Sequence, residues 1–186
     1  MKRLTFVSIF VSLVALSMQS WAQCSIPAPT SAPTYPPALI DEMTGQPLSS
    51  SCTKCIVLVH GWNPSGANNC YDINNGFEFY NLLLNLKARL NGSGWSIVAY
   101  DWHQDASTGL IGPLTPSISQ FVFGAANQAA ANAQLHGDHL ATMLDNAAPN
   151  LREVHFIAHS AGAQAAKEAM IQFLQLNPYV IVESTF

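Results

Sequence analysis

The stretch VHFIAHSAG, at residues 154–162, decides the fold class of this chain. Its first five residues are mostly apolar, which predicts a short strand buried within a sheet. The residues from Ala161 to Leu176 follow it directly and carry the apolar spacing of a helix. Ser160 therefore lies at a predicted turn between a strand and a helix.

The five residues centred on Ser160 match the pattern Gly-x-Ser-x-Gly, with Ala158 in place of the first glycine. A serine on a sharp turn from strand to helix has a strained backbone, so the residues two positions before and after it must be small. The start of the next helix also directs free N–H groups and a positive dipole end toward the serine. The pattern predicts that Ser160 is a catalytic nucleophile. The alternative is a serine that only caps the helix.

A second part of the same site is predicted after an earlier strand. The apolar run at residues 56–59 predicts a strand buried on both faces, and His60-Gly61-Trp62 follows at its carboxyl end. Gly61 would let the backbone approach a substrate closely. The backbone N–H groups of Trp62 and Ala161 would then hold an oxyanion together. The alternative is a strand that ends in a glycine turn, with His60 only hydrogen-bonded at the edge of the sheet.

Strands and helices alternate along the rest of the chain. Further helices are predicted at residues 77–90 and 125–144, and further strands at residues 95–100 and 179–182. Helices of this length between strands imply right-handed crossovers and a mostly parallel sheet with helices on both faces. The predicted fold class is therefore α/β.

In such a sheet, ligands bind beyond the carboxyl ends of the strands. His60, Asp101 and Ser160 each follow directly after a predicted strand, so we expect them at the same edge of the sheet. The long loop from Asp105 to Ser119 would border the cleft there.

The segment 1–22 predicts an export signal. It begins with two basic residues, continues with an apolar run over residues 4–16 and ends in Ser20-Trp21-Ala22, which places small residues where a signal peptidase reads them. The apolar run is shorter than the roughly 20 residues that span a bilayer, which argues against a membrane anchor. We expect cleavage at the end of this segment and a secreted or periplasmic protein.

Residues 23–51 are rich in Pro and Ser and predict an extended lead-in to a domain at residues 52–186. The chain after the signal contains four cysteines: Cys24, Cys52, Cys55 and Cys70. In an exported chain an even number predicts two disulfides, with three possible pairings that the sequence does not rank. The Cys-x-x-Cys of residues 52–55 would alternatively be a redox pair or half of a metal site. Structural disulfides are the stronger expectation, since no second such pair occurs.

Four segments together resemble a known family: Ile56–Trp62, Tyr100-Asp101-Trp102, the helix from Asn132 to His139, and Val154–Gly162. They are similar to the pancreatic-lipase-like branch of the α/β-hydrolases, over roughly residues 55–175. The resemblance implies a partial α/β-hydrolase fold and hydrolysis of acyl lipids or related esters through an acyl-enzyme. It implies no metal and no organic cofactor, with Ser160 as nucleophile and Trp62 and Ala161 as oxyanion donors.

The family places an acid and then a histidine after the serine. Only 26 residues follow Ser160, and they contain Glu168 and Glu183 but no histidine. Glu168 is predicted to point away from the edge, and Glu183 would be a weak substitute for the acid. Upstream, His103 beside Asp101 is the one histidine placed to act as a base. The expectation is a truncated enzyme that lacks its C-terminal strands and shows little or no turnover.

The remaining histidines predict structural roles. His155 and His159 are expected to be packed or hydrogen-bonded. His136 and His139 share a predicted helix face, where a zinc site is possible, but a solvated polar face is the stronger expectation because no third ligand is evident.

Composition limits the partners. The chain is 49% hydrophobic and 10% charged, which excludes a disordered chain and fits one domain with a core. Removing the two basic residues of the signal leaves 5 basic against 11 acidic side chains. An acidic surface without a basic cluster argues against nucleic-acid binding. The expected partner is a small-molecule or lipid ester, with transient contact at a lipid surface. The alternative function is a secreted, non-catalytic protein that binds a lipid or other ligand on a hydrolase scaffold.

Overall fold

A six-stranded sheet forms the centre of the protein in a computed structural model, which describes residues 32–61, 78–106 and 118–186. The strands are β1 (Ile40–Asp41), β2 (Gln46–Pro47), β3 (Lys54–Val59), β4 (Ser96–Tyr100), β5 (Glu153–Ala158) and β6 (Ile181–Thr185). The helices are α1 (Glu78–Leu90), α2 (His103–Ala106), α3 (Ile118–Ala147) and α4 (Ala161–Leu176). The predicted signal segment, residues 1–22, lies outside the described residues. None of the helices in the described part is long and apolar enough to cross a membrane.

The strand order is β2-β1-β4-β3-β5-β6. Strands β4, β3, β5 and β6 run parallel to their neighbours, and the short hairpin of β1 and β2 adds an antiparallel edge beside β4. The predicted α/β class with a mostly parallel sheet is confirmed. Each parallel connection carries a helix, as crossovers between parallel strands require.

The side chains of β3 alternate between the two faces of the sheet, and each face is covered. Cys55, Val57 and Val59 join one core cluster, which also holds side chains of helices α3 and α4. Ile56 and Leu58 join a second, smaller cluster with side chains of helix α1. Helices therefore lie on both faces of the sheet. This is why β3 is apolar at nearly every position rather than at every second one.

Helices α3 and α4 pack against each other at very short range. A methyl group placed on Gly137 would lie 2.5 Å from the carbonyl oxygen of Ala165 and 2.6 Å from the Cβ of Glu168. The facing side of α4 is accordingly built from small residues, with Ala165, Ala166 and Ala169 fully buried. Small residues allow two helix backbones to approach closely, which holds α4 and the turn before it against the sheet.

The predicted elements differ from the structure at several boundaries and by one hairpin that was missed. Helix α3 begins at Ile118 rather than near residue 125, because a single Gly124 inside a helix costs only about 1 kcal/mol. Strand β6 begins at Ile181 rather than at residue 179, because Val180 N–H closes a turn onto the carbonyl of Asn177. The hairpin of β1 and β2 was not predicted. It lies within the Pro-rich lead-in, where strands of two residues leave little periodic signal.

Replacing Gly137 with Ala is expected to destabilise the protein by about 1–3 kcal/mol, although alanine is the better helix former. The added methyl group would overlap the backbone of helix α4. Urea unfolding followed by circular dichroism measures the change. As a control, Asn146→Ala on the exposed side of the same helix should change the free energy of unfolding by less than about 0.5 kcal/mol. A stabilised Gly137→Ala protein would contradict the close packing.

Candidate active site

Ser160 lies between the last residue of β5 and the first residue of α4, in a strained conformation. Its φ is 55° and its ψ is −126°, which lies outside the regions that L-residues ordinarily occupy. It is the one residue other than glycine with a positive φ in the described part of the chain. Its side chain is exposed, and its hydroxyl does not cap the helix. The interpretation of Ser160 as an ordinary capping serine is therefore wrong.

The strain is sustained by two close backbone contacts between the end of β3 and this turn. A methyl group on Gly162 would overlap the carbonyl oxygens of Val59 and His60. A methyl group on Gly61 would lie 2.9 Å from the Cβ of Ser160 and 2.8 Å from the carbonyl oxygen of His159. Neither position has room for a side chain, so the residues after β3 lie directly against the serine turn.

Of the two predicted oxyanion donors, the structure describes Ala161 but not Trp62. The N–H of Ala161 opens helix α4, while the next two N–H groups are already bonded to the carbonyls of His159 and Ser160. Among the described residues, none accepts a hydrogen bond from the N–H of Ala161. Trp62, the other predicted donor, lies outside the described residues. Gly61, the residue before it, is in contact with the serine turn.

His60 is fully buried and anchors the loop after β3 to the end of β4. Its Nδ1 lies 2.9 Å from the carbonyl oxygen of Gly61, and its Nε2 accepts a hydrogen bond of 3.1 Å from the backbone N–H of Trp102. The indole N–H of Trp102 donates to the carbonyl oxygen of His60 at 2.8 Å, and the two rings stack. The imidazole is therefore a positioning group for the Gly61 backbone.

Asp101 and His103 form a carboxylate–imidazole pair at the same edge of the sheet. The Nδ1 of His103 lies 2.9 Å from the Asp101 carboxylate, which also lies 3.3 Å from the Nε2 of His60. Burial alone would raise the pKa of Asp101, but its contacts with the side chain of His60 and with the backbone N–H and ring of His103 outweigh burial and lower that pKa. Asp101 is thus held ionised and orients His103 with its Nε2 turned away from the carboxylate.

In the described part of the chain, the rings of His103, His136 and His155 are hydrogen-bonded to groups other than the Ser160 hydroxyl. Two cavities of about 280 Å³ each lie near the carboxyl end of β4, and Asp101 borders both. The second is also lined by Tyr35, Trp102 and His103.

Two expectations about histidines were wrong. His136 is fully buried rather than solvated, because it shares its helix face with the buried residues Ala133 and Leu140. His159 is exposed rather than packed. Within the described residues, no group of histidine, cysteine and carboxylate side chains is arranged to hold a metal ion.

Buried His136 belongs to a hydrogen-bonded cluster that sequence reasoning missed. Its Nδ1 lies 2.8 Å from the hydroxyl of Tyr100, and its Nε2 lies 2.8 Å from the carboxylate of Asp105. That carboxylate also accepts a 2.6 Å bond from the backbone N–H of Thr34, which ties the N-terminal segment to the domain. Burial lowers the pKa of His136 more than Asp105 raises it. The burial of His136 could have been predicted from its helical spacing from the apolar residues Ala133 and Leu140.

The cysteines are only partly described. Cys52 and Cys55 are free thiols, and both are buried at the start of β3. The expectation of structural disulfides is therefore not met by these two residues in this structure. Cys24 and Cys70 lie outside the described residues.

No protein-family model matches the chain, and no curated protein matches it either. The function must therefore be inferred from the geometry of the site.

The strain at residue 160 predicts that Ser160→Gly is more stable than Ser160→Ala by about 1–3 kcal/mol, because only glycine adopts this backbone conformation without cost. Chemical denaturation of both variants measures the difference. At Lys167, which is exposed within helix α4, the Ala variant should instead be more stable than the Gly variant by about 1 kcal/mol. Equal stability of the two residue-160 variants would exclude strain.

The lowered pKa of His136 predicts that this residue makes stability fall as the pH drops below about 6.5. In that range the unfolded chain binds the proton more tightly than the folded one, so acid favours unfolding until the lowered folded pKa is reached. The free energy of unfolding of His136→Gln should depend less on pH between about 7 and 5 than that of the wild type. Identical pH slopes in urea titrations would contradict the prediction.

Proposed function

We propose that this protein is a serine hydrolase of the α/β-hydrolase type that cleaves carboxylic esters through an acyl-enzyme. One observation carries the proposal: exposed Ser160 has φ 55° and ψ −126° at the carboxyl end of a parallel strand. A structural serine has no need of this conformation, whereas a nucleophile gains from it, because the turn holds the hydroxyl clear of its own backbone.

The surrounding groups support the same chemistry. In the proposed reaction the oxygen of Ser160 attacks the ester carbonyl, and the N–H groups of Ala161 and Trp62 stabilise the oxyanion. The alcohol then leaves and water hydrolyses the acyl-enzyme. Small residues at Gly61 and Gly162 are needed to bring the two donor segments together, and both approaches are too close for a side chain. The oxyanion site is thus supported on the Ala161 side by an N–H that has no acceptor among the described residues, and on the Trp62 side by the position of Gly61.

The proton of the Ser160 hydroxyl requires a base. His103 has a partner of the kind that such a base needs, since Asp101 holds its Nδ1 and is itself kept ionised. The carboxylate fixes the imidazole tautomer that presents Nε2 as an acceptor. We assign His103 as the first candidate base to be tested.

Slow covalent modification that depends on Ser160 is the expected result in two assays of the purified chain. A fluorophosphonate probe should phosphonylate the serine with loss of fluoride, and p-nitrophenyl butyrate should acylate it with release of p-nitrophenol. An oxyanion site alone retains a rate enhancement of about 10³-fold over water when a triad member is missing. Intact-protein mass spectrometry should show one added probe group, and Ser160→Ala should abolish it. Ser50→Ala, at an exposed serine away from the site, should react like the wild type.

Two further variants test the oxyanion site and the base separately. Gly61→Ala should reduce probe labelling at least about tenfold, because the added methyl group would collide with the serine turn. His103→Ala should lower the rate if His103 is the base. Labelling of Ser160→Ala at the wild-type rate would refute the hydrolase proposal.

A non-catalytic binding protein on the same scaffold is the second candidate. Both described cavities near the functional edge lie at the end of β4 beside Asp101 rather than at Ser160, which favours ligand binding there. This function predicts that a fluorescent fatty acid binds equally well to the wild type and to Ser160→Ala. It also predicts no covalent labelling of either protein.

A further inference from the structure

Cys52 and Cys55 form a pair of thiols at the end of the sheet opposite Ser160. Cys52 closes a turn, since its backbone N–H donates to the carbonyl of Ser49 at 2.9 Å, and Cys55 is the second residue of β3. Both side chains enter the same core cluster beneath helices α3 and α4. The candidate active site uses neither of them.

The two sulfur atoms are directed by the same short piece of backbone. The sulfur of Cys52 lies 3.4 Å from the carbonyl oxygen of Lys54, and the sulfur of Cys55 lies 3.5 Å from that of Ile56. The two sulfurs lie within hydrogen-bond reach of each other. Two residues separate the cysteines along the chain, the spacing found in redox-active pairs.

Access differs between the two cysteines. Cys55 has no exposed surface, whereas Cys52 is 7% exposed. The residues around Cys52 are small and exposed: Ser49, Ser50, Ser51 and Thr53. Cys52 is therefore the more accessible of the two cysteines to a reagent in solution.

The pKa values of the two thiols also differ, and they favour Cys52 as the more reactive cysteine. A hydrogen bond from the Cys55 thiol lowers the pKa of Cys52 to about 6, against the effect of burial and with further help from Ser96. The same interaction, together with burial, raises the pKa of Cys55 well above its ordinary value. Asp41, which accepts a hydrogen bond from Ser96 at 2.9 Å, acts against both thiolates. Cys52 is thus the thiolate and Cys55 the proton donor of the pair.

We propose that Cys52 and Cys55 are a redox-active pair that closes to an intrachain disulfide by exchange with a small-molecule disulfide. The Cys52 thiolate attacks one sulfur of the oxidant, forming a mixed disulfide and releasing the first thiolate. Cys55 then loses its proton and attacks the sulfur of Cys52, which releases the second. The pair gives up two electrons and two protons, and the oxidant becomes two thiols. This inference does not depend on the proposed hydrolase activity.

Disulfide mapping of the full chain tests the pairing. The protein is equilibrated with oxidised and reduced glutathione, free thiols are blocked with iodoacetamide, and peptides are analysed by mass spectrometry. The double variant Cys24→Ser/Cys70→Ser leaves only the pair, and trypsin cuts after Lys54, between the two cysteines. The expected product is two tryptic peptides joined by a disulfide, which dithiothreitol separates. Adding Cys55→Ala should leave only a glutathione adduct on Cys52.

The wild-type chain provides a check that needs no substitution. Mapping with trypsin and chymotrypsin, which cuts after Trp62 and so separates Cys55 from Cys70, should show Cys52 joined to Cys55. Finding Cys52 joined to Cys24 or Cys70, or finding both thiols free across the whole range of glutathione ratios, would overturn the proposal.

The order of attack has its own test. In the Cys24→Ser/Cys70→Ser protein, iodoacetamide should alkylate Cys52 first, with half of the maximal rate near pH 6. Cys55→Ala in this background removes the hydrogen bond to the thiolate, so alkylation at pH 7 should slow at least about tenfold and the midpoint should rise. Alkylation of Cys55 before Cys52, or an unchanged midpoint in Cys55→Ala, would refute the assignment. Circular dichroism of each variant confirms that it is folded.

Discussion

Strand β3 is the constraint on which the rest of the structure depends. It pairs in parallel with β4 on one side and with β5 on the other, and Val59 is in register with both Tyr100 and Ala158. The carboxyl ends of the three strands therefore lie side by side. Residues far apart in the chain meet at one edge of the sheet because main-chain hydrogen bonds hold these ends level. Burial of β3 on both faces makes this register costly to change.

The functional edge follows from that register. The turn at Ser160 is strained, and a strained residue persists only where its surroundings hold it in place. Here the backbone after β3 lies against the turn at Gly61 and Gly162, while close packing of α4 on α3 holds the helix that follows. Buried His60 and Trp102 fix the approaching backbone in turn. The strain is thus balanced by contacts from neighbouring strands and from a helix pair.

Much of the sheet and part of the site could be predicted, since their signals are local. The apolar run before His60 and the small residues around Ser160 mark a buried strand and a tight turn wherever they occur. The hairpin at β1 and β2 and the burial of His136 escaped prediction for a different reason. A strand of two residues is too short to show a hydrophobic alternation. A histidine on a helix face that mixes polar and apolar residues is buried only if a neighbour such as Tyr100 hydrogen-bonds to its ring.

The sequence by itself determined the α/β class and the place of Ser160 between a strand and a helix. Both follow from hydrophobic periodicity and residue size, which can be read from a few neighbouring residues. Only the tertiary structure decided which side chains meet: His60 with Trp102, Asp101 with His103, and His136 with Asp105. It also decided the backbone angles of Ser160 and the different surroundings of Cys52 and Cys55. These properties depend on distances between segments, and strand register and helix packing set such distances only in the folded chain.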